Sequence, residues 1–228
     1  MPNSPTGPRV AAKPLFLCKP FVTSQLVKGS FSTIVVLPKY VDQGEWLALN
    51  VFEFFDMLNR FYGVINEFCT PRNCPSMSAG PGLDYTWLDA NKKPMRLPAP
   101  TYIEYVLQWI NNRINDETIF PTKAKGGFPQ SFEQTCKGIY KQMFRIFAHI
   151  YHTHFDKILH MSLEAHFNSL FVHFIHFSRT FNLLEQRDLE PLRALIENFE
   201  EQGLFKDGSS SRAQQQPPQQ QQQQQPQQ

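Results

Sequence analysis

Residues 42–68 read DQGEWLALNVFEFFDMLNRFYGVINEF. Asp42 is placed to accept from the free N–H groups of a first helical turn, and Glu45, three residues on, completes a capping box. Beyond it apolar side chains recur at helical spacing. Trp46, Leu49, Val51 or Phe52, Phe55, Leu58 and Tyr62 fall on one broad stripe. The stretch predicts a long amphipathic helix.

Similar punctuation recurs downstream. Pro100–Glu104 predicts the start of a helix carrying Ile103, Leu107, Ile110 and Ile114. Pro129–Gln134 predicts another, running through Met143, Phe144, Ile146, Phe147 and Ile150 toward residue 155. Ser162 precedes a segment rich in Phe and His. Asp188 precedes a last helix with Pro191 near its first turn and an end before Gly203. Residues 69–100 break the helical pattern with prolines and glycines. The pieces DYTWLD (84–89) and KPMRL (93–97), joined at Asp89-Ala90-Asn91, predict a small hairpin. Residues 31–37, FSTIVVL, read as extended. The expected fold is mainly α, one domain over residues 14–205: a helical bundle with a small β-hairpin arm and a structural zinc site. The Pro-rich residues 1–13 and the Gln/Pro-rich residues 206–228 are expected to be disordered, because such composition buries too little apolar surface to offset its ordering entropy.

Composition narrows the function classes. The net charge is only +2 and no Lys/Arg block occurs, so no nucleic-acid partner is expected. No apolar run reaches the roughly 18 residues that a membrane span needs. The N-terminus lacks the charged and apolar segments of a secretory signal. The expectation is an intracellular protein whose four cysteines, Cys18, Cys69, Cys74 and Cys136, are not a disulfide framework. With 21 phenylalanines, the core should be Phe-rich.

Cys69 and Cys74 frame CTPRNC, and residues 148–155, AHIYHTHF, offer His149, His152 and His154. Two thiolates and two imidazoles satisfy the tetrahedron that zinc prefers. Spacing leaves the choice of histidines open. His149 and His152 share a helical face at i, i+3, whereas His149 and His154 do not unless the helix ends there. A site closed by four protein ligands leaves no position for water and is structural rather than catalytic. The sequence contains no H-E-x-x-H, G-x-S-x-G, P-loop or kinase signature, and no enzyme is expected.

Long stretches carry a resemblance. GEWLALNVFEFFDMLNRFYGVINEFC (44–69), CPSMSAGPGLDYTWLDANKKP (74–94), DETIFPTK (116–123) and FRIFAHIYHTHFDKILHMSLEAHFNSLFVHFIHF (144–177) resemble the Mob family of kinase coactivators. Residues 13–42, with WLDANKKP and IENFEEQG, look most like the fungal branch that partners NDR/Orb-type kinases in polarised growth and cell separation. The resemblance implies a zinc site of Cys69, Cys74, His149 and His154, with His152 left to packing or hydrogen bonding. It implies a surface of Asp42, Glu45, Trp46, Leu49, Glu53 and His173 that receives the basic N-terminal segment of an NDR/LATS-type Ser/Thr kinase. Where other members are acidic before this helix, Val41 and Gly44 stand here. By the same likeness Lys141, Gln142 and Arg145 match a phosphopeptide-reading trio. Lys141 and Arg145 lie one turn apart, but Gln142 is uncharged where phosphate-binding members have a base. A kinase coactivator of the cytoplasm and nucleus, or of sites of polarised growth, is the function implied. A phosphopeptide-reading scaffold is the alternative.

Overall fold

The computed structural model describes residues 13–27, 29–122 and 127–206. The disorder expected at residues 1–13 and 206–228 therefore falls, Lys13 and Lys206 apart, outside the described residues. The chain enters through two short 3-10 turns, Leu15–Leu17 and Phe21–Thr23, and then forms α1, Ser32–Val35. This corrects the extended reading of residues 31–37. A β-branched run favours a strand, but here Phe31 and Val35 are both buried, with the Phe31 ring stacked 5.7 Å from that of His173. A helical turn puts residues four apart on one side, and their joint burial outweighs local propensity.

Helix α2 spans Gln43–Ile65. The Asp42 carboxylate caps it, accepting from Gly44 N at 2.8 Å and Glu45 N at 3.2 Å. Its buried edge is Leu47, Val51, Phe54, Leu58, Tyr62 and Ile65. That edge is rotated from the stripe the sequence suggests, because Leu49 and Phe52 are 50% and 51% exposed. The helix carries more apolar positions than one packed side can cover, and the surplus faces solvent.

Two short antiparallel ribbons follow. β1, Met77–Ser78, pairs with β2, Asp84–Tyr85, and β3, Trp87–Leu88, pairs with β4, Pro94–Met95. The second ribbon is the expected hairpin. Its turn is held by Asp89 Oδ1, which accepts from the N–H groups of Asn91 and Lys93, each at 2.8 Å. α3 is Ala99–Ile114, with Pro100 in its first turn rather than ahead of it. α4, Phe132–His149, passes into a π-helical turn, Ile150–His154, and then into α5, Phe155–His160. α6 is Glu164–Thr180. The expected last helix is split. α7, Gln186–Leu189, starts on a Glu185/Asp188 capping box, a 3-10 turn holds Pro191, and α8 is Arg193–Glu201.

The core lies where α2, α4 and α6 meet, and it is aromatic. Phe174 has ring neighbours Tyr140 at 4.8 Å, Phe147 at 5.0 Å and Phe54 at 5.5 Å. The N-terminal turns are tied to this core by Asn168, which is 1% exposed. Its oxygen accepts from Tyr151 Oη at 3.0 Å, and its amide donates to the carbonyls of Phe21 and Ser24 at 2.9 and 3.0 Å. No described helix is long and apolar enough to cross a membrane.

Two substitutions separate satisfied from unsatisfied buried polar groups. Tyr140 Oη is buried with no hydrogen-bond partner among the described residues. Tyr140→Phe is expected to stabilise by about 1 kcal/mol, raising Tm by about 2–4 °C. Asn168→Ala strands Tyr151 Oη and the Ser24 carbonyl, while the Phe21 carbonyl keeps the Ser24 N–H, and should cost about 2–3 kcal/mol. Urea and thermal unfolding of the two variants check both.

Candidate metal centre and docking face

The end of α2 delivers the first two candidate ligands. A turn-rich loop follows the helix, with Cys69 N–H on the Asn66 carbonyl at 3.1 Å and Cys74 N–H on the Thr70 carbonyl at 2.8 Å. Asn73 Nδ2 ties the loop back to the Phe68 carbonyl at 3.1 Å. Both thiols point inward and are buried.

The other two come from the π turn after α4. An α-helix sets residues five apart on different faces. The i→i+5 bonding of a π turn widens the coil by one residue, so His149 and His154 come over one another. Their ring centroids are 5.1 Å apart. Cys69 Sγ lies 3.5 Å from His149 Nε2, Cys74 Sγ lies 3.4 Å from His154 Nε2, and all four ligand atoms fall within 4.8 Å of one another. A tetrahedral ion with zinc-like bond lengths needs ligand-to-ligand edges of roughly 3.3–3.8 Å. The donor set and its spacing fit such an ion.

The surroundings prepare these groups. His149 Nδ1–H donates to the Ser78 carbonyl at 2.7 Å, which turns the Nε2 lone pair toward the thiols. Burial pushes the Cys69 thiol up to about 12, raises Cys74, lowers His149 and takes His154 down to about 4. Without a metal, all four groups are therefore neutral near pH 7, and an ion must displace the thiol protons as it binds. His152 faces away from the cluster. Its Nε2–H donates to the Pro191 carbonyl at 2.8 Å, and its ring lies against Gly80, where a β-carbon would sit 2.8 Å from the imidazole. Only glycine allows that approach.

The opposite end of α2 forms a second candidate site. Glu45, Leu49 and Glu53 follow one another at i, i+4 along its exposed edge, with the exposed Phe52 beside them. Neither glutamate has an ionic partner among the described residues, whereas Asp56 is paired with Arg60 at 2.8 Å. Gly44 has a physical reason for standing where a side chain might be expected. A β-carbon there would collide with the Phe128 ring, which lies across the first turn. Trp46 has the packing role open to it from sequence. It is half-buried against the core, with its ring 6.4 Å from that of Phe177, and its indole N–H has no partner among the described residues. His173 is half-buried between Phe31 and Phe54, the latter at 4.8 Å. Burial, reinforced by His176, takes its pKa down to about 4. Phe52 is the member of this edge that the sequence reading did not name for the surface, having left the stripe open between it and Val51; the burial of Val51 and the exposure of Phe52 decide between them.

The trio on α4 is already engaged. Lys141 Nζ pairs with Asp188 Oδ1 at 2.6 Å. The Arg145 guanidinium donates to Tyr102 Oη at 2.6 Å and lies over the Tyr85 ring at 4.8 Å. Tyr102 Oη in turn donates to Gln142 Oε1 at 3.0 Å. Lys141 and Arg145 line a cavity of about 230 Å3 with Leu83, Phe144 and Pro191.

The Mob1/phocein family model matches residues 23–192, which span the α2 edge, the loop of Cys69 and Cys74 and the π turn. The chain belongs to the Mob1/phocein family. This Mob chain is 59% identical over 199 residues to the CBK1 kinase activator protein MOB2 of Candida albicans, covering 87% of this chain and 64% of that protein. It is 59% identical over 189 residues, 83% of the chain and 66% of the relative, to the protein of the same name in Saccharomyces cerevisiae. It is 58% identical over 197 residues, 86% and 81%, to the maintenance of ploidy protein mob2 of Schizosaccharomyces pombe. The chain thus spans just under two thirds of the length of the first two of these relatives.

Two expectations follow for this Mob chain. If the four-ligand cluster holds an ion, elemental analysis finds one metal per chain, Cys74→Ser loses it, and chelation lowers Tm by roughly 10 °C. The second concerns acid. An unfolded chain protonates a histidine near pH 6.5, whereas folded His173 stays neutral down to about 4. Its contribution is therefore complete above pH 6.5 and is lost as pH falls toward 4. His173→Phe should flatten the fall of unfolding free energy across that window, read by urea titrations at stepped pH.

Proposed function

We propose that this Mob chain is a non-catalytic coactivator of an NDR/Orb-type Ser/Thr kinase, and that it receives the basic N-terminal regulatory segment of that kinase along the exposed edge of α2. The observation that carries the reading is the alternation on that edge: two carboxylates without ionic partners among the described residues, Glu45 and Glu53, flank exposed apolar side chains at Leu49 and Phe52. A cationic segment with apolar residues of its own matches such a surface. Asp42 stands at its start, and Trp46 and His173 would offer only the uncovered parts of their half-buried rings. The relatives from two yeasts carry the name kinase activator, which supports the same class of role.

The mechanism is a population shift. The bound segment is ordered against the kinase N-lobe, and activation requires tighter binding to the active arrangement than to the inactive one. The Cys2His2 cluster is proposed to hold structural zinc, whose part is to cross-link the loop after α2 to the π turn. The cellular setting proposed is polarised growth and cell separation, at cytoplasmic, nuclear or cortical sites. The engagement of Lys141 by Asp188 and of Arg145 by Tyr102 weighs against a phosphopeptide scaffold, since an incoming phosphate would have to displace both partners.

Calorimetric titration with the recombinant N-terminal regulatory segment of an NDR-type kinase tests the reading. The wild type should bind 1:1. Glu45→Lys should weaken affinity by tenfold or more, mainly through a slower association rate, and should flatten its salt dependence. Equal binding by both proteins would remove this face from the account.

A further inference from the structure

Tyr62 carries a hydroxyl on an edge of α2 that otherwise buries hydrocarbon there. Leu58 and Ile65 are fully buried on either side of it, and Tyr62 itself is 9% exposed. Phenylalanine would fill the same space, so packing alone does not account for the oxygen. A buried phenol calls for a hydrogen-bond partner. Tyr140 is the contrary case, with its hydroxyl buried and no partner among the described residues. The Tyr62 hydroxyl instead faces the Cys69 side chain and hydrogen-bonds with it. Tyr62 and Cys69 also line one groove between α2 and α3, of about 790 Å3, with Asn59, Asn66 and Glu104 along its sides.

A cysteine that binds a metal does so as a thiolate, which accepts hydrogen bonds and cannot donate them. Buried charge of that kind needs donors. The nearby N–H groups are already spent. That of Cys69 goes to the Asn66 carbonyl, that of Cys74 to the Thr70 carbonyl, and His149 Nδ1–H to the Ser78 carbonyl. Cys69 is 2% exposed, so water in the groove has little access to its sulfur. The phenol O–H of Tyr62 is the donor that faces it. We infer that Tyr62 is a positioning residue of the metal centre: its O–H donates to the Cys69 thiolate, fixes the direction of that sulfur and offsets the repulsion between two thiolates in one buried site. This rests on the reading of the Cys2His2 cluster as a metal site. It adds to the four ligands a side chain that touches none of the metal's own positions, and it gives α2 its reason for carrying tyrosine rather than phenylalanine there.

The test uses the full chain with zinc and with cobalt(II) as probes, and compares wild type, Tyr62→Phe and Tyr140→Phe. Tyr140→Phe is the control, since it removes a buried hydroxyl from the core and not from the cluster. Chelator competition reads zinc affinity, and the sulfur-to-cobalt charge-transfer band reads the state of the thiolates. Tyr62→Phe should bind zinc roughly ten- to a hundredfold more weakly than wild type. Its charge-transfer band should move to lower energy, because a thiolate that has lost its donor gives up electron density more readily. Tyr140→Phe should match wild type in both readings. Freed of metal, wild type and Tyr62→Phe should melt within about 3 °C of each other. An unmoved band in Tyr62→Phe, or zinc affinity within about threefold of wild type, overturns the inference and leaves the metal centre standing. A metal-free Tyr62→Phe that melts much lower overturns it too, since the hydroxyl then serves packing. If wild type takes up neither ion, the reading of the cluster falls and the inference with it.

Discussion

The burial of one edge of α2 against α4 and α6 constrains the rest of this molecule. Phe54 is driven into the aromatic cluster of Tyr140, Phe174 and Phe177, and Leu58, Tyr62 and Ile65 continue the same edge inward. Burying that edge is favourable by about 1.5–3 kcal/mol for each large apolar side chain, before ordering costs. It has two geometric results. The C-terminal end of the helix arrives beside the π turn, so that Cys69 and Cys74 meet His149 and His154. The opposite edge, with Glu45, Leu49, Phe52 and Glu53, is turned to solvent. The candidate metal centre and the candidate docking face are thus two ends of one packed helix, and a change that loosens the core is felt at both.

The two sites differ in kind. The Cys2His2 cluster is buried and oriented by the Ser78 carbonyl, as suits a cross-link between a loop and a helix end. The α2 edge is open, acidic and apolar by turns, as suits an extended or helical partner. On α4, Lys141 and Arg145 show how little a charge pattern says until its neighbours are known. Both are cationic and one turn apart, yet Asp188, Tyr102 and Tyr85 already occupy their charged ends.

Much of this was legible in the sequence, for identifiable reasons. The caps and turns that depend on a single side chain, Asp42 at α2 and Asp89 in the hairpin, were readable because the bond they make is local. Residues 31–37 were misread, since only the distant His173 and the core make a helical turn there worthwhile. The stripe on α2 was displaced toward Leu49 and Phe52 because a helix apolar on many sides does not declare which side is covered. The pairing of His149 with His154 was open on spacing and came only from family resemblance, since nothing in IYHTH announces a π turn.

The central claim is that the kinase segment lies on the start of α2 and the residues beside it. Backbone chemical-shift mapping of the labelled chain, as the NDR-type segment is titrated in, tests this most directly. The account predicts the largest shifts at residues 40–53 and around His173, with little change at Lys141 and Arg145. Shifts centred on Lys141, Arg145 and Asp188, with the α2 edge silent, would contradict it.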